Sequence, residues 1–329
     1  MFLYLLSTEP EELELAQAEL WALTGCEAEG RIGFSRAAFD ISRAAYVGLC
    51  AEVLASGPAL DDLCAAVAAA GVASEGFRIE VRRVGSAPEA GAYVGAPDVA
   101  RRLADVMGGW PDLRRPRERF LALSIGGAWY FGRIVSETNR GYLAQAGRPR
   151  NFSNALPARH ARALVNLVAV PGDCLVDPCC GVGTCLIEAG AMGVRVVGRE
   201  LSYPTVLAAR ENLAHFGHVC PVTVGDARVL EGTYDAAVVD LPYGHSTRVE
   251  EGLYEGILGR LAPRVFRMGV VAGRPTEELF AALSLRVLRC ARVPKTSLVR
   301  HYYALAGLRE SAGPPVPRIG TCGLEGDCR

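Results

Sequence analysis

The chain has 329 residues, half of them hydrophobic, with 35 basic and 36 acidic side chains and a formal net charge of −1. This composition excludes a disordered or collagen-like chain and supplies core for two or three folded units. Residues 1–6 are a strand-length apolar run with no basic lead, unlike a signal peptide, and the alanine-rich run 63–73 is too short and too weakly apolar to span a bilayer.

Residues 1–55 read as a small α+β, ferredoxin-like unit. A strand at 2–7 is followed by a helix at 10–24 with Leu13, Ala16, Leu20 and Leu23 on one side, then by an extended segment at 31–39. Residues 56–135 form a second unit: a helix at 60–70, a strand at 77–83, a helix at 98–107, and a strand pair, 119–124 and 128–135, around Gly126-Gly127. A polar, arginine-bearing linker covers 136–154. An α/β domain follows at 155–308, and a tail at 309–329 is expected to be disordered.

The α/β domain carries the chemistry. Cys174-Leu-Val-Asp177 is a short apolar strand ending in a carboxylate, Gly181 and Gly183 allow a close backbone turn, and a buried helix starts at Thr184. That is the first unit of a doubly wound, Rossmann-like nucleotide fold. A second strand (194–198) leads to Glu200, placed where such folds put an acid on ribose hydroxyls, and a third (222–226) ends at Asp226, an acceptor for an exocyclic adenine amine. A dinucleotide site would need a third glycine where Leu186 stands, so a mononucleoside ligand fits better. A fourth strand, 235–240, opens Asp240-Leu241-Pro242-Tyr243-Gly244. Here Asp240 and the Leu241 carbonyl offer acceptors to a planar amine, Pro242 stiffens the turn, and Tyr243 offers a ring for stacking. Holding an amine lone pair toward an electrophilic methyl needs in-line positioning rather than a strong base. Strands at 267–272, 285–293 and 298–305 complete the sheet, the last two as an antiparallel hairpin.

With Asp177-Pro-Cys-Cys-Gly181-Val-Gly183-Thr184 and Asp240-Leu-Pro-Tyr-Gly244, the chain resembles the S-adenosylmethionine-dependent N-methyltransferases, and more closely the tRNA guanine-N2 methyltransferases that carry a THUMP domain. That family reads Asp-Pro-x-Cys-Gly-Ser-Gly-Thr and Asp-Pro-Pro-Tyr-Gly. Val182 replaces the serine, Leu241 the first proline, and Glu200 the more usual aspartate. The resemblance runs strongly from about 148 to 247 and includes the helix through Arg159, Arg162 and Asn166, which precedes the first strand. It implies S-adenosylmethionine as cofactor, held by Asp177, Cys179, Gly181, Gly183, Thr184, Glu200, Leu201, Asp226, Ala227 and Asp240. It also implies a THUMP domain at 56–135, and as reaction the methylation of a guanosine N2 amine in tRNA, guanosine 10 in type, at Asp240, Leu241, Pro242 and Tyr243. A cytoplasmic protein with tRNA as partner, and with room for a small accessory protein, is the expected setting.

Charge agrees once it is divided. Residues 101–162 hold twelve arginines against four acids, a surplus of eight, which leaves −9 for the rest. Arginine forks suit phosphates, so Arg114, Arg115, Arg117, Arg148 and Arg150 are expected on the RNA backbone, although a solvated face would carry the same signature. The amine clamp is shared with adenine-N6 and cytosine-N4 DNA methyltransferases, and a catalytically silent RNA-binding protein is a further alternative. The intact acids and glycines count against the second, and the long N-terminal half without a DNA-reading motif counts against the first. Eleven cysteines point to reduced thiols; Cys179-Cys180, as adjacent thiols, do not form a zinc pair, and no metal is expected. His215 and His218 read as a helix end. His245 is divided between pocket and surface loop, and Cys322 and Cys328 lack a partner pair.

Overall fold

The computed structural model describes residues 1–85, 94–242, 250–295 and 298–309. The N-terminal half runs β1 (Phe2–Leu6), α1 (Leu13–Thr24), β2 (Ala28–Glu29), β3 (Ile32–Ser35), β4 (Val47–Gly57), α2 (Leu60–Ala69), β5 (Ala73–Val84), α3 (Ala96–Val106), β6 (Gly108–Pro111), β7 (Glu118–Ile125) and β8 (Ala128–Glu137). It continues with α4 (Ala158–Asn166), β9 (Cys174–Asp177), α5 (Thr184–Ala191), β10 (Arg195–Glu200), α6 (Tyr203–His215), β11 (Val222–Val224) and β12 (Ala236–Asp240). The last elements are α7 (Leu253–Leu261), β13 (Arg267–Ala272), α8 (Glu277–Ala282), β14 (Arg286–Lys295) and β15 (Leu298–Ala306). The described residues fall into two compact units: those within 1–6, 28–42 and 47–137 make the first, and those within 7–27, 43–46 and from 138 to 309 the second.

The first unit is built on an eight-stranded sheet in the order β2-β3-β1-β4-β8-β7-β5-β6. β7 and β8 form a tight hairpin on Gly126 and Gly127, both at positive φ (+58° and +78°), as a two-residue turn between right-twisted strands requires. Helices α2 and α3 bury Leu63, Val67, Val99 and Leu103 against Phe77, Phe120 and Phe131, and the last two rings stack with centroids 5.3 Å apart. Instead of two separate units at 1–55 and 56–135, strands from both stretches share this sheet, with β4 pairing β1 on one side and β8 on the other. The sequence hid β4 for a physical reason. Register shifts at Cys50/Ala51 and Val53/Ala55 interrupt its alternation of buried and exposed positions.

Helix α1 belongs to the second unit, not to the first. Its Glu19 is wholly buried and accepts from the backbone N–H of Ala45 (2.7 Å) and Tyr46 (2.6 Å) and from Asn166 Nδ2 (2.7 Å). Three donors offset the cost of burying that carboxylate, and they fasten residues 43–46 and α4 to the helix. At the sequence level only the apolar stripe of α1 was visible, which does not say which core it joins.

The second unit's sheet has the order β11-β10-β9-β12-β13-β15-β14, parallel from β11 to β13, with β15 antiparallel to both β13 and β14. Val176, Val239, Met268 and Val270 are fully buried on the face that packs with Leu258 and Leu261 of α7, and Val238 and Val271, which alternate with them, are fully buried as well, so these strands read as unbroken apolar runs. The chain winds outward from β9 to β11 and then returns to place β12 on the other side of β9. The order therefore reverses between β9 and β12, and a crevice opens at their C-terminal ends.

Candidate active site

Asp177 ends β9 and Asp240 ends β12, the two strands that flank the reversal. Asp177 is 3% exposed and accepts from the Cys179 N–H at 3.1 Å. Burial, with Asp240 and Glu200 adding negative charge nearby, raises its pKa from 3.8 to about 8. The turn after it depends on glycine: Gly181 has φ +53° and Gly183 φ +86°, left-handed conformations that favour a residue without Cβ, and Gly183 caps the N-terminus of α5.

Glu200 ends β10 and braces that turn: one carboxylate oxygen accepts from the Gly181 N–H (3.1 Å), the other from the Ser202 N–H (2.9 Å). Asp226, after β11, accepts from the Arg228 N–H at 2.8 Å and is gripped by the same residue's guanidinium at 2.6 and 2.9 Å. Those bonds hold its carboxyl below the usual range. Arg228 also reaches Glu250 at 3.5 Å and lies against Gly256 of α7, where an added Cβ would stand 3.0 Å from its Cδ. Past Asp240 the backbone is tied down twice: the Leu241 N–H donates to the Val271 carbonyl (2.9 Å), and the Tyr254 hydroxyl donates to the Pro242 carbonyl (2.7 Å).

These groups line one cavity of about 740 Å³. Of the residues expected to hold a cofactor, Asp177, Cys179, Gly181, Thr184, Glu200, Leu201, Asp226, Ala227 and Asp240 all face it, and Gly183 instead serves as the helix cap. Leu241 and Pro242 line it too. Tyr243 and His245 lie outside the described residues, as do Cys322 and Cys328.

The five arginines expected on RNA fall into two groups. Arg114, Arg115 and Arg117 are exposed in the first unit, on a turn where Asp112 Oδ1 accepts the N–H groups of Arg114 and Arg115, both at 2.9 Å. Arg148 is engaged inside the second unit: it donates to Thr184 Oγ1 (2.9 Å) and to Asn151, and burial lowers its pKa. Arg150 donates to Glu211 (2.7 Å) and its N–H to Asn212 Oδ1 (2.8 Å). Behind Thr184, Gln145 donates to the Thr184 carbonyl (3.1 Å) and to Glu188 (2.6 Å), while Arg162 donates to the other oxygen of Glu188 (2.5 Å). This buried network fixes the first turn of α5, and sequence reasoning had not found it.

Other parts of the cavity wall were also missed: Phe152 from the linker, Leu156 at the start of the α/β domain, Glu250, and Lys295, Leu298 and Arg300 from the β14–β15 hairpin. The hairpin was expected only to close the sheet. Its period of two already put residues 298 and 300 on one face, a signal that strand spacing alone supplies. Tyr254, which anchors Pro242, stands on α7, a helix that sequence reasoning did not name.

Residues 145–302 match the family model described as RMKL-like, methyltransferase domain. The tRNA (guanine(10)-N2)-dimethyltransferase of Methanothermobacter thermautotrophicus is 32% identical over 213 residues, covering 62% of this chain and 63% of that protein. The protein of the same name from Pyrococcus abyssi is 39% identical over 132 residues, 35% of this chain and 40% of that one. The chain thus spans less than two thirds of the length of these relatives. Among solved structures, TrmN from Thermus thermophilus superposes with a TM-score of 0.51 at 21% identity, covering 94% of this chain and all of that one, which shows a shared fold.

Proposed function

We propose that this chain, whose residues 145–302 match the family model described as RMKL-like, methyltransferase domain, methylates the exocyclic N2 amine of a guanosine in tRNA with S-adenosylmethionine as methyl donor. Guanosine 10 is the target that the relatives' names support. One observation carries the reading: the acids after three successive strands, Asp177, Glu200 and Asp226, open into the same cavity as Asp240-Leu241-Pro242 after the fourth.

The donor set fits such a ligand. A sulfonium and an ammonium are cations, and the cavity is walled by Asp177, Glu200, Asp226, Asp240 and Glu250. Glu200 has acceptor capacity for ribose hydroxyls and Asp226 for an adenine amine, each already oriented by the backbone bonds described above. When bound, S-adenosylmethionine supplies an electrophilic methyl on its sulfonium.

The residues at the clamp do the rest. Asp240 accepts from the target amine and so fixes where its lone pair points. The Val271 carbonyl and the Tyr254 hydroxyl hold the Leu241-Pro242 backbone still while it does so. Methylation makes the nitrogen cationic and acidic, and Asp240 is the nearest acceptor for the proton it then loses. Tyr243 stacks on the extruded base in this reading, and Arg114, Arg115 and Arg117 hold RNA phosphates.

The test is nucleoside mass spectrometry of unmodified tRNA incubated with the protein and S-adenosylmethionine. N2-methylguanosine and, from the relatives' names, N2,N2-dimethylguanosine are expected. Methyl groups found only on adenine N6 or cytosine N4 would overturn the guanine assignment.

A further inference from the structure

The cavity is lopsided in charge. Its carboxylates come from the ends of β9, β10 and β12 and from the segments after β11 and before α7. Arg228 lies among them, already paired with Asp226 and Glu250. The other cationic side chains of the wall, Lys295 and Arg300, both come from the β14–β15 hairpin, with Leu298 between them. Arg300 is 2% exposed, whereas Lys295 ends β14 and is exposed at the rim.

A nucleotide entering this cavity brings phosphodiesters on both sides of its base, and those anions cannot settle against the acid wall without loss of binding. The hairpin is the side on which they meet attraction. The composition points to the same place. Of 35 basic residues, Lys295 is the single lysine and all the others are arginine. The cavity is lined by 28 of the 292 described residues, so the one lysine falls among them by chance about one time in ten. A compact ammonium on a flexible stem can follow a phosphate in several rotamers, which suits a rim position better than a rigid fork does.

We propose that Lys295, on the β14–β15 hairpin, is a phosphate-binding residue that contacts the polynucleotide backbone beside the base presented to Asp240. The inference rests on the reading of the cavity as a methyl-transfer site for a nucleotide, and it names the substrate's polar contact opposite the acid wall.

Equilibrium binding of a labelled tRNA, followed against salt, tests it without requiring turnover. Lys295→Gln is expected to weaken binding several-fold at low salt and to flatten the log-log salt slope by about 0.7–0.9, the signature of one lost phosphate contact. Lys295→Arg should restore the slope, and S-adenosylmethionine affinity should be the same in all three proteins. An unchanged slope in Lys295→Gln overturns the proposal. So does a loss of RNA binding accompanied by an equal loss of cofactor binding, which would mark a damaged hairpin. Failure of the functional reading shows separately, as wild-type protein that binds tRNA but leaves its guanosines unmethylated.

Discussion

The two sheets differ in how they bring chemistry together. From β11 to β13 the second unit's strands are parallel, so their C-terminal ends open on one side and residues as far apart as 177, 200, 226 and 240 reach one cavity. In the first unit β1, β3, β4, β7 and β8 pair antiparallel, so their ends point to opposite edges, while β5 runs parallel to β6 and β7, which lie on either side of it. Its noticeable polar feature is a single turn, 112–117, with three exposed arginines. Converging strand ends make a site in which one group can be indispensable, and an isolated turn offers charge locally, where contributions add in small steps.

The largest effect expected from that difference is at Asp240. Asp240→Ala should lower kcat by about 10²-fold or more, because an acceptor at the reacting nitrogen is lost, while S-adenosylmethionine affinity measured by calorimetry changes little. A variant that keeps more than about a tenth of the rate removes Asp240 from the reaction centre. It would also mean that convergence of the strand ends had produced a pocket and not a catalytic clamp.

Asp177 gives the next effect, read through pH. Its folded pKa, near 8, stands above the unfolded 3.8, so between those values the unfolded chain has released a proton that the ligand-free fold keeps. Stability of the free protein should therefore fall as pH rises from about 4 to about 8 and level off above that. A cationic ligand favours the ionised carboxylate, so cofactor affinity should rise by up to about tenfold per pH unit toward 8. Because the ligand's amino group also titrates near pH 8, the decisive quantity is the difference between wild type and Asp177→Asn. Parallel pH profiles for the two proteins would show that Asp177 does not face the cation.

How much of this could be read from the sequence follows the same division. β9 and β13 fall where their apolar runs predict, and Asp177, Glu200, Asp226 and Asp240 share one cavity because strand, turn and helix recur with regular spacing. What escaped was whatever depends on pairing across long separations. β4 was masked by its register shifts, and α1 was assigned to the wrong core because amphipathicity does not name a partner. Arg148 looked like a surface cation until Thr184, 36 residues away, took its guanidinium. The hairpin's contribution to the cavity needed the antiparallel register of β14 on β15 before Lys295 and Arg300 came near the acids.

The smallest and most graded effects belong to the 112–117 turn. The turn is held by backbone groups: Asp112 Oδ1 accepts the Arg114 and Arg115 N–H groups, and the Arg117 N–H donates to the Gly76 carbonyl at 2.7 Å. Truncating the three arginine side chains removes none of those bonds, so the fold and cofactor affinity should stay as they are. Each Arg→Ala that removes a phosphate contact should weaken tRNA binding only a few-fold and flatten the log-log salt slope by about 0.7–0.9, with the triple variant close to additive. Asp112→Ala is the sharper control. It keeps all three cations but removes the acceptor that shapes the turn, and it adds net positive charge, so a purely electrostatic surface predicts tighter RNA binding. A built contact predicts weaker binding, because the arginines lose the conformation in which they meet successive phosphates. Tighter binding by Asp112→Ala, with additive losses in the arginine variants, would reduce the turn to diffuse charge. Weaker binding would make it a shaped site of its own, and the contrast with the cavity would then be one of number of residues and not of kind.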